Sequence, residues 1–330
     1  MMPAPQLLAT LATGEIVSGT RLAEAAGISR AAIWKQVEAL RSRGVPIESH
    51  GPAGYGLPWP LQMLDAAAIE SALPVSARRR LGALDLYWEI DSTSTELQRR
   101  GVQAPDLSIV MAETQSAGRG RRGRTWLSPP GMNLYLSCLK RFDAGFAALG
   151  GLSLAVGVMV LRALEALGVG GAGLKWPNDV LAREHDGLPG GKLAGILVEL
   201  SGEYQGPCAA VIGIGLNLRL TPALHEQAGQ PACDLATLCG GTPPDRNAVA
   251  AALIAALVDG LAAFERQGFA GFTDDYARHD LLRDVPLRLS GALGDIDGVG
   301  AGVDTRGALQ LRTDAGLRRI DSADVTVRRA

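Results

Sequence analysis

Apolar residues recur at Ile33, Val37 and Leu40, at i, i+4 and i+7, and lay one buried stripe along a helix that starts after Ser29. Ser29 is placed as its N-cap, because a hydroxyl there can accept from backbone donors that a helix start leaves without partners. Upstream, QLLATLA predicts a first helix closed by Gly14, and SGTRLAEAAG a second that turns tightly at Gly27. After Gly44 the run VPIESHGPAGYGLPW alternates and reverses through Gly51 to Gly54, the pattern of a β-wing. Helix, turn, helix and wing is a plan for binding DNA, with the second helix in the major groove. Ser29, Arg30, Lys35 and Gln36 are the candidate DNA contacts, and Trp34 also faces outward. A small helical interaction domain fits the same pattern. Charge favours that alternative, since Arg21, Arg30, Lys35, Arg41 and Arg43 are nearly balanced by Glu15, Glu24, Glu38 and Glu48, a weak electrostatic footprint.

Pro58 to Pro74 reads as a linker. Beyond it, from Leu84 to Arg278, two periodicities intermix. LDLYWEI, LSIVMAET, NLYLSCLK, GILVEL and AAVIGIGLNL predict strands; STSTELQRRG, the apolar stretch 147–167 and NAVAAALIAALVDGLAAFERQG predict helices. From Leu282 the runs become short and alternating, split by Gly and Asp, which predicts a small SH3-like β-barrel. The expected fold class is α+β and multidomain: a winged helix-turn-helix over 1–62, a central mixed α/β domain over 63–281 and the SH3-like barrel over 282–330.

Composition removes several alternatives. The chain has 330 residues, 47% of them hydrophobic, and a formal net charge of −2. That is enough to bury a core and too apolar for disorder, and bulk charge points to no polyanionic partner. Cys138, Cys208, Cys233 and Cys239 fit neither a disulfide framework nor a CxxC metal site, so they are expected as reduced thiols. MMPAPQLLATLATGE has no basic region followed by a long apolar run, so a signal peptide is not expected. AALGGLSLAVGVMVLRALEAL soon meets charge and is expected as buried helix. The expected location is cytoplasmic, with no membrane partner.

The candidate chemistry centres on GRGRRGRTW, Gly118 to Trp126, between two predicted strands. Glycines let backbone approach a ligand, and arginines bring permanently charged planar donors suited to carboxylate or phosphate. No GK[ST] closes it and no helix follows it, so it is neither a Walker A loop nor a Rossmann fingerprint. An exposed basic loop remains the plain alternative. LKWPNDVL offers Lys175, Asn178 and Asp179, a set that suits triphosphate with magnesium or else a polar turn. GGKLAGILVEL puts Lys192 at the start of an apolar strand, where it either snorkels or presents a point charge. Gly213 and Gly215 in VIGIGLNL signal close backbone approach, by a ligand or by tight sheet packing. HExxH and GxSxG are missing from these stretches, and His50, His185, His225 and His279 are scattered. A cationic loop with lysines and an Asn-Asp pair suits attack of a carboxylate on the ATP α-phosphate, followed by protection of a labile acyl adenylate.

The stretches ETQSAGRGRRGRTWLSPPGMNLYLS, KWPNDVL, KLAGILVEL and GIGLNL, with SRAAIWKQVEALRSRGV and GYGLPWPLQML before them, resemble the bifunctional biotin–protein ligase and biotin-operon repressor family of the BirA type. The resemblance covers essentially the whole chain. It implies a central domain of the biotin/lipoate-ligase kind that makes biotinyl-5′-AMP from biotin and MgATP. Biotin then passes to a lysine of biotin carboxyl carrier protein, the acetyl-CoA carboxylase subunit. By the match, Ser92, Thr93, Ser94, Gln115, Gly118, Arg119, Gly120, Arg121, Lys192 and Gly195 would bind biotin. Arg121, Arg124, Trp126, Lys175, Asn178, Asp179 and Asn217 would serve ATP and the adenylate, with Asp179 on Mg²⁺. Lys192 and Arg121 would be catalytic. The family also implies operator DNA as a partner, biotin as the corepressor's precursor, and a homodimer formed when loaded with biotinyl-AMP. A sensor with weak ligase activity and a lipoate ligase are the alternatives. This chain reads Ser92-Thr93-Ser94 where the family reads Ser-Thr-Asn, which leaves the third contact open, and AREHDGLPGG before Lys192 is longer than the family's segment.

Overall fold

The structure is a computed structural model and describes residues 4–184, 187, 189–291, 294–321 and 326–329. His185 and part of the long segment before Lys192 lie outside the described residues. The chain opens with α1 (Ala4–Leu11), α2 (Gly19–Ala26) and α3 (Arg30–Arg41). Ser18 and Ser29 cap the second and third, accepting from Arg21 N at 3.1 Å and Ala32 N at 3.2 Å. Gly27 closes α2 in the left-handed region at φ +62°, which only glycine adopts without strain. Leu7, Leu11, Leu22, Ile33, Val37 and Leu40 form a separate small core. The strands β1 (Glu48–Ser49) and β2 (Tyr55–Gly56) pair antiparallel as the expected wing.

The linker expected from Pro58 to Pro74 is partly helical. Asp65 caps α4 (Ala66–Ala72) by accepting from Ala68 N at 3.0 Å, and Ile69 and Leu73 are buried in the main core. Burial of those two side chains overrides the turn signals of the flanking prolines. A short α5 (Val75–Arg80) leads to β3 (Ala83–Ile90), α6 (Thr93–Arg100), β4 (Ser108–Gln115), β5 (Leu134–Phe142), α7 (Leu152–Ala166), β6 (Ala172–Lys175), β7 (Asp179–Arg183), β8 (Pro189–Gly202) and β9 (Cys208–Leu216). These strands form a seven-stranded sheet in the order β3-β4-β5-β9-β8-β7-β6. Among the described residues of this sheet, only β3 and β4 run parallel and every other pair is antiparallel. Alternation sends Ile109 and Met111 of β4 to one face and Val110 to the other, where Leu97 of α6 covers it.

Two short helices, α8 (Pro222–Gln227) and α9 (Leu235–Leu238), precede the long α10 (Arg246–Gln267) and then α11 (Thr273–His279). The stretch Arg246–His279 is apolar enough to cross a membrane by composition, but α10 packs on α7 and α4 as a core helix. The last strands are β10 (Pro286–Gly291), β11 (Gly294–Val303), β12 (Leu309–Thr313), β13 (Gly316–Ile320) and β14 (Thr326–Arg329). They make an antiparallel five-stranded sheet in the order β13-β12-β11-β10-β14, the SH3-like unit expected, although no pairing joins its two end strands among the described residues. Leu287, Leu289, Leu309 and Leu311 of this unit merge into the main core.

Candidate active site

A cluster of neutral polar groups lies at the N-terminus of α6. Gln115 Oε1, at the end of β4, accepts from Thr93 N at 2.9 Å and Thr93 Oγ1 at 3.2 Å. Ser137 Oγ, from β5, stands 2.7 Å from Thr93 Oγ1 and 2.9 Å from Ser94 Oγ. Ser92 is the cap of α6, its hydroxyl accepting from Thr95 N at 3.4 Å. Gly213 of β9 keeps this nest open: a Cβ there would sit 2.8 Å from Ser94 Oγ. The hydroxyls are buried and the amide half-buried, all are neutral and bonded to one another, and each hydroxyl can rotate toward a ligand.

The loop Gly118–Trp126 crosses the sheet above this nest. Gly120 N donates to Arg124 O at 2.7 Å and Trp126 N to Gly118 O at 2.9 Å, so the base of the loop closes like a hairpin. Arg122 sits in the left-handed region at φ +58°, where a non-glycine residue is strained. Arg119 pairs with Glu199 Oε2 at 2.8 Å. Arg121 turns inward and donates to Asn178 Oδ1 at 3.0 Å, while Asn178 Nδ2 donates to Ile196 O at 2.8 Å. Burial lowers the Arg121 pKa, Asp179 opposes that, and the charges of Arg122 and Arg124 add to it. A guanidinium short of water and crowded by like charge gains most from an incoming anion.

The floor is built by β8 and β9. Lys192 Nζ forms an ion pair with Asp179 Oδ1 at 2.7 Å and lies 5.5 Å from the centre of the Trp126 ring. The indole rests on two glycines: a Cβ at Gly215 would come within 2.2 Å of Trp126 Cε2, and one at Gly195 within 2.9 Å of Cζ3. The close approach signalled by Gly213 and Gly215 is thus made by side chains of the chain itself, Ser94 and Trp126. Trp126 Nε1 is buried without a hydrogen-bond partner among the described residues. The space between nest, loop and floor is about 50 Å³, well under the roughly 300–1,000 Å³ usual for small-molecule sites. A second space of about 280 Å³ opens past Arg121 and Asn178, beside Trp176 and Gly307. Trp176 Nε1 donates to Gly307 O at 3.0 Å and ties this edge to the C-terminal unit.

Ser92, Thr93, Ser94, Gln115, Arg119, Gly120, Arg121, Trp126, Asn178, Lys192 and Gly195 meet around the first space. Arg124 lines the outer side of the loop, while Gly118 is buried, a Cβ there lying 2.6 Å from Trp126 O and 2.9 Å from Ser128 Oγ. Lys175 stands opposite Asp179 in the β6–β7 hairpin. Asn217 Nδ2 donates to Lys192 O and Cys233 O, each at 3.2 Å, and so braces the backbone beneath Lys192. Arg30 and Lys35 of α3 and its cap Ser29 are exposed and do not line this space, with Gln36 partly covered. Sequence reading did not single out Ser137, Ser128 or Glu199. A serine inside the apolar run of β5 was the available signal for Ser137, since a buried strand hydroxyl needs a polar partner. No group of three His, Cys, Asp or Glu side chains that could hold a metal occurs among the described residues. One carboxylate, Asp179, fits a magnesium ion carried mainly on phosphate oxygens and not an all-protein cage.

The biotin/lipoate A/B protein ligase family matches residues 88–217, and an HTH domain family matches residues 5–56. The bifunctional ligase/repressor BirA of Salmonella typhimurium is 38% identical over 324 residues, which is 98% of this chain and 97% of that protein. The biotin–[acetyl-CoA-carboxylase] ligase of Mycobacterium tuberculosis is 35% identical over 244 residues, 72% of this chain and 85% of that protein. A solved structure of biotin protein ligase from Aquifex aeolicus in complex with biotin and ATP superposes with a TM-score of 0.63 at 29% identity, covering 75% of this chain and 99% of that one.

Proposed function

The chain belongs to the bifunctional ligase/repressor family of the BirA type, and on that premise we propose that it joins biotin to AMP, hands biotin to a carrier-protein lysine and represses transcription at an operator. The observation that carries the ligase reading is the polarity of the site. A neutral hydrogen-bonding nest (Thr93, Ser94, Gln115, Ser137) lies at one end, Leu136 and Ile214 line the side, and the cations Lys192 and Arg121 lie at the other. Biotin has that order of parts: a uncharged ureido ring with donors and acceptors, an aliphatic chain, a carboxylate. Lipoate carries an apolar dithiolane ring, which gains no hydrogen bonds from the nest and so is expected to bind less well.

In this reading the biotin carboxylate oxygen attacks the ATP α-phosphorus, pyrophosphate leaves, and a mixed anhydride forms. Lys192 exchanges Asp179 for the carboxylate and the α-phosphate, and Arg121 donates to the same charge as it builds; fixed cationic donors lower the barrier most where water is excluded. Magnesium, when bound, neutralises triphosphate charge, with Asp179 as the protein carboxylate at hand. The amine of a carrier lysine then attacks the anhydride carbonyl and AMP leaves. Because the space is small, Trp126 and the loop must shift to admit the ligand. Lys175 beside Asp179, and the second space next to Gly307, support ATP entering from the side of the C-terminal unit. The division into units at 62 and 281 belongs to the same proposal, as do a cytoplasmic location and a homodimer of the loaded form.

Exposed Arg30, Trp34 and Lys35 on α3 support an operator-reading surface, with Ser29 spent partly on its cap. The ligase reading is tested by following pyrophosphate release with MgATP and either acid. Biotin-dependent release is the expected result, and release with lipoate alone overturns the assignment.

A further inference from the structure

Arg43 stands in the turn after α3, outside the candidate DNA contacts and outside the pocket. Its guanidinium reaches into the seven-stranded sheet. Nη1 pairs with Glu89 Oε2 at 3.1 Å and Nη2 donates to Thr114 Oγ1 at 2.9 Å. From Thr114, which is buried, the bonds lead to Ser128, where donors from Thr114 and from Gln115 meet. The single hydroxyl proton of Thr114 goes to Ser128 O at 2.6 Å. Ser128 Oγ donates to Trp126 O and accepts from Gln115 Nε2, both at 3.2 Å. With Nε2 held there, Gln115 Oε1 is the end that faces Thr93. An amide is nearly symmetrical in shape, so its partners decide which end points where. Gly44, next in the turn, has φ +91°, and a Cβ on it would lie 2.9 Å from Leu224 Cδ2 and 3.4 Å from Pro129 Cβ. The turn is therefore seated on the C-terminal foot of the cationic loop, at Pro129, while Arg43 holds its other foot through Thr114.

We propose that Arg43 is a positioning residue for the ligand pocket: through Thr114 and Ser128, the winged-helix unit fixes both feet of the cationic loop and the orientation of the Gln115 amide. Only the identity of the ligand rests on the ligase reading. Loss of the guanidinium takes from Thr114 Oγ1 its donor and so loosens the Thr114–Ser128–Gln115 set without touching the reacting groups, and ground-state hold on biotin weakens while chemistry persists.

The test compares Arg43→Ala, Thr114→Val, Thr114→Ser and the Arg43→Ala/Thr114→Val double variant in the full chain. The KM for biotin in pyrophosphate release is expected to rise about threefold to tenfold in Arg43→Ala and in Thr114→Val, with kcat within about twofold. Thr114→Ser, which keeps the hydroxyl, should retain the parental KM. The double variant should be no worse than the worse single, as for two members of one chain of bonds. An unchanged KM in either single variant, or effects that multiply in the double, overturns the proposal. If the parent chain releases no pyrophosphate with biotin, the ligase reading fails, and limited trypsinolysis then decides on Arg43. Faster cutting at the loop arginines in Arg43→Ala, with fragments identified by mass, supports the clamp, and an unchanged cutting rate overturns it.

Discussion

Lys192 carries the largest share of the proposed chemistry, and its ion pair with Asp179 shows how it is kept ready. The ammonium is mostly covered and already faces a carboxylate at 2.7 Å, so a substrate carboxylate replaces like with like. Lys192→Ala should cut biotin-dependent pyrophosphate release by about 10²–10³-fold, the usual loss for one transition-state donor. Undiminished turnover would remove Lys192 from the site. A different residue governs pH behaviour. Burial pushes the Asp280 carboxyl up from the ordinary 3.8 to about 6, against the pull of the Leu282 N–H and the Arg283 charge. Asp280 Oδ2 has no hydrogen-bond partner among the described residues. Between those two values the folded chain holds a proton that the unfolded chain has released, so this group makes stability fall as pH rises through that window and costs its full amount above it. Asp280→Asn should therefore be more stable than the parent by on the order of 1–3 kcal/mol near pH 7.5, with the gain fading toward pH 4, in urea titrations at both values. A gain that persisted unchanged at the lower pH would mean that Asp280 is not the titrating group.

Among elements, α10 is fastened at its N-terminus by a buried charge. Arg246 Nη1 pairs with Glu113 Oε2 at 2.6 Å, and its other nitrogens donate to Asn133 O at 2.7 and 3.1 Å. Removing one partner of such a pair strands the other, so Arg246→Ala should lose about 3–5 kcal/mol of unfolding free energy. A loss below about 1 kcal/mol would show the pair to be dispensable. The α3 surface invites a gentler test. If Arg30 and Lys35 meet phosphates, each alanine variant should weaken operator binding and reduce the slope of log K against log salt by about one. Unchanged binding in both would favour an interaction domain. The helices and strands with a strong period were legible from the chain alone: α3 by its i, i+4, i+7 stripe, β4, β5 and β9 by apolar runs. The elements that escaped were those whose order comes from distant partners. Residues of α4 are helical because Ile69 and Leu73 bury themselves in the main core, and the short β6 and β7 exist because β7 pairs with β8.

At the scale of the molecule, the sequence named most of the groups around the first space but not how they divide the work. The motif residues were visible because Gly, Arg, Lys and Asn-Asp are unusual company between apolar strands. Ser137, the Lys192–Asp179 pair and the indole lying on Gly195 and Gly215 depend on which strands become neighbours, and β5 meets β9 only across a long loop closure. The SH3-like sheet and the winged helix each reach the central sheet, one through Trp176 to Gly307 and the other through Arg43 to Thr114. Both outer units thus touch the central sheet close to the candidate site, where the proposed task is to join a vitamin carboxylate to AMP and hold the product. The most direct measurement is to incubate the protein with magnesium, ATP labelled at the α-phosphate and biotin, and to separate protein from free nucleotide by gel filtration. Label should travel with the protein only when biotin is present and leave as AMP on addition of a biotin-accepting carrier domain. Label that never stays with the protein under these conditions, or that stays with lipoate in place of biotin, contradicts the account.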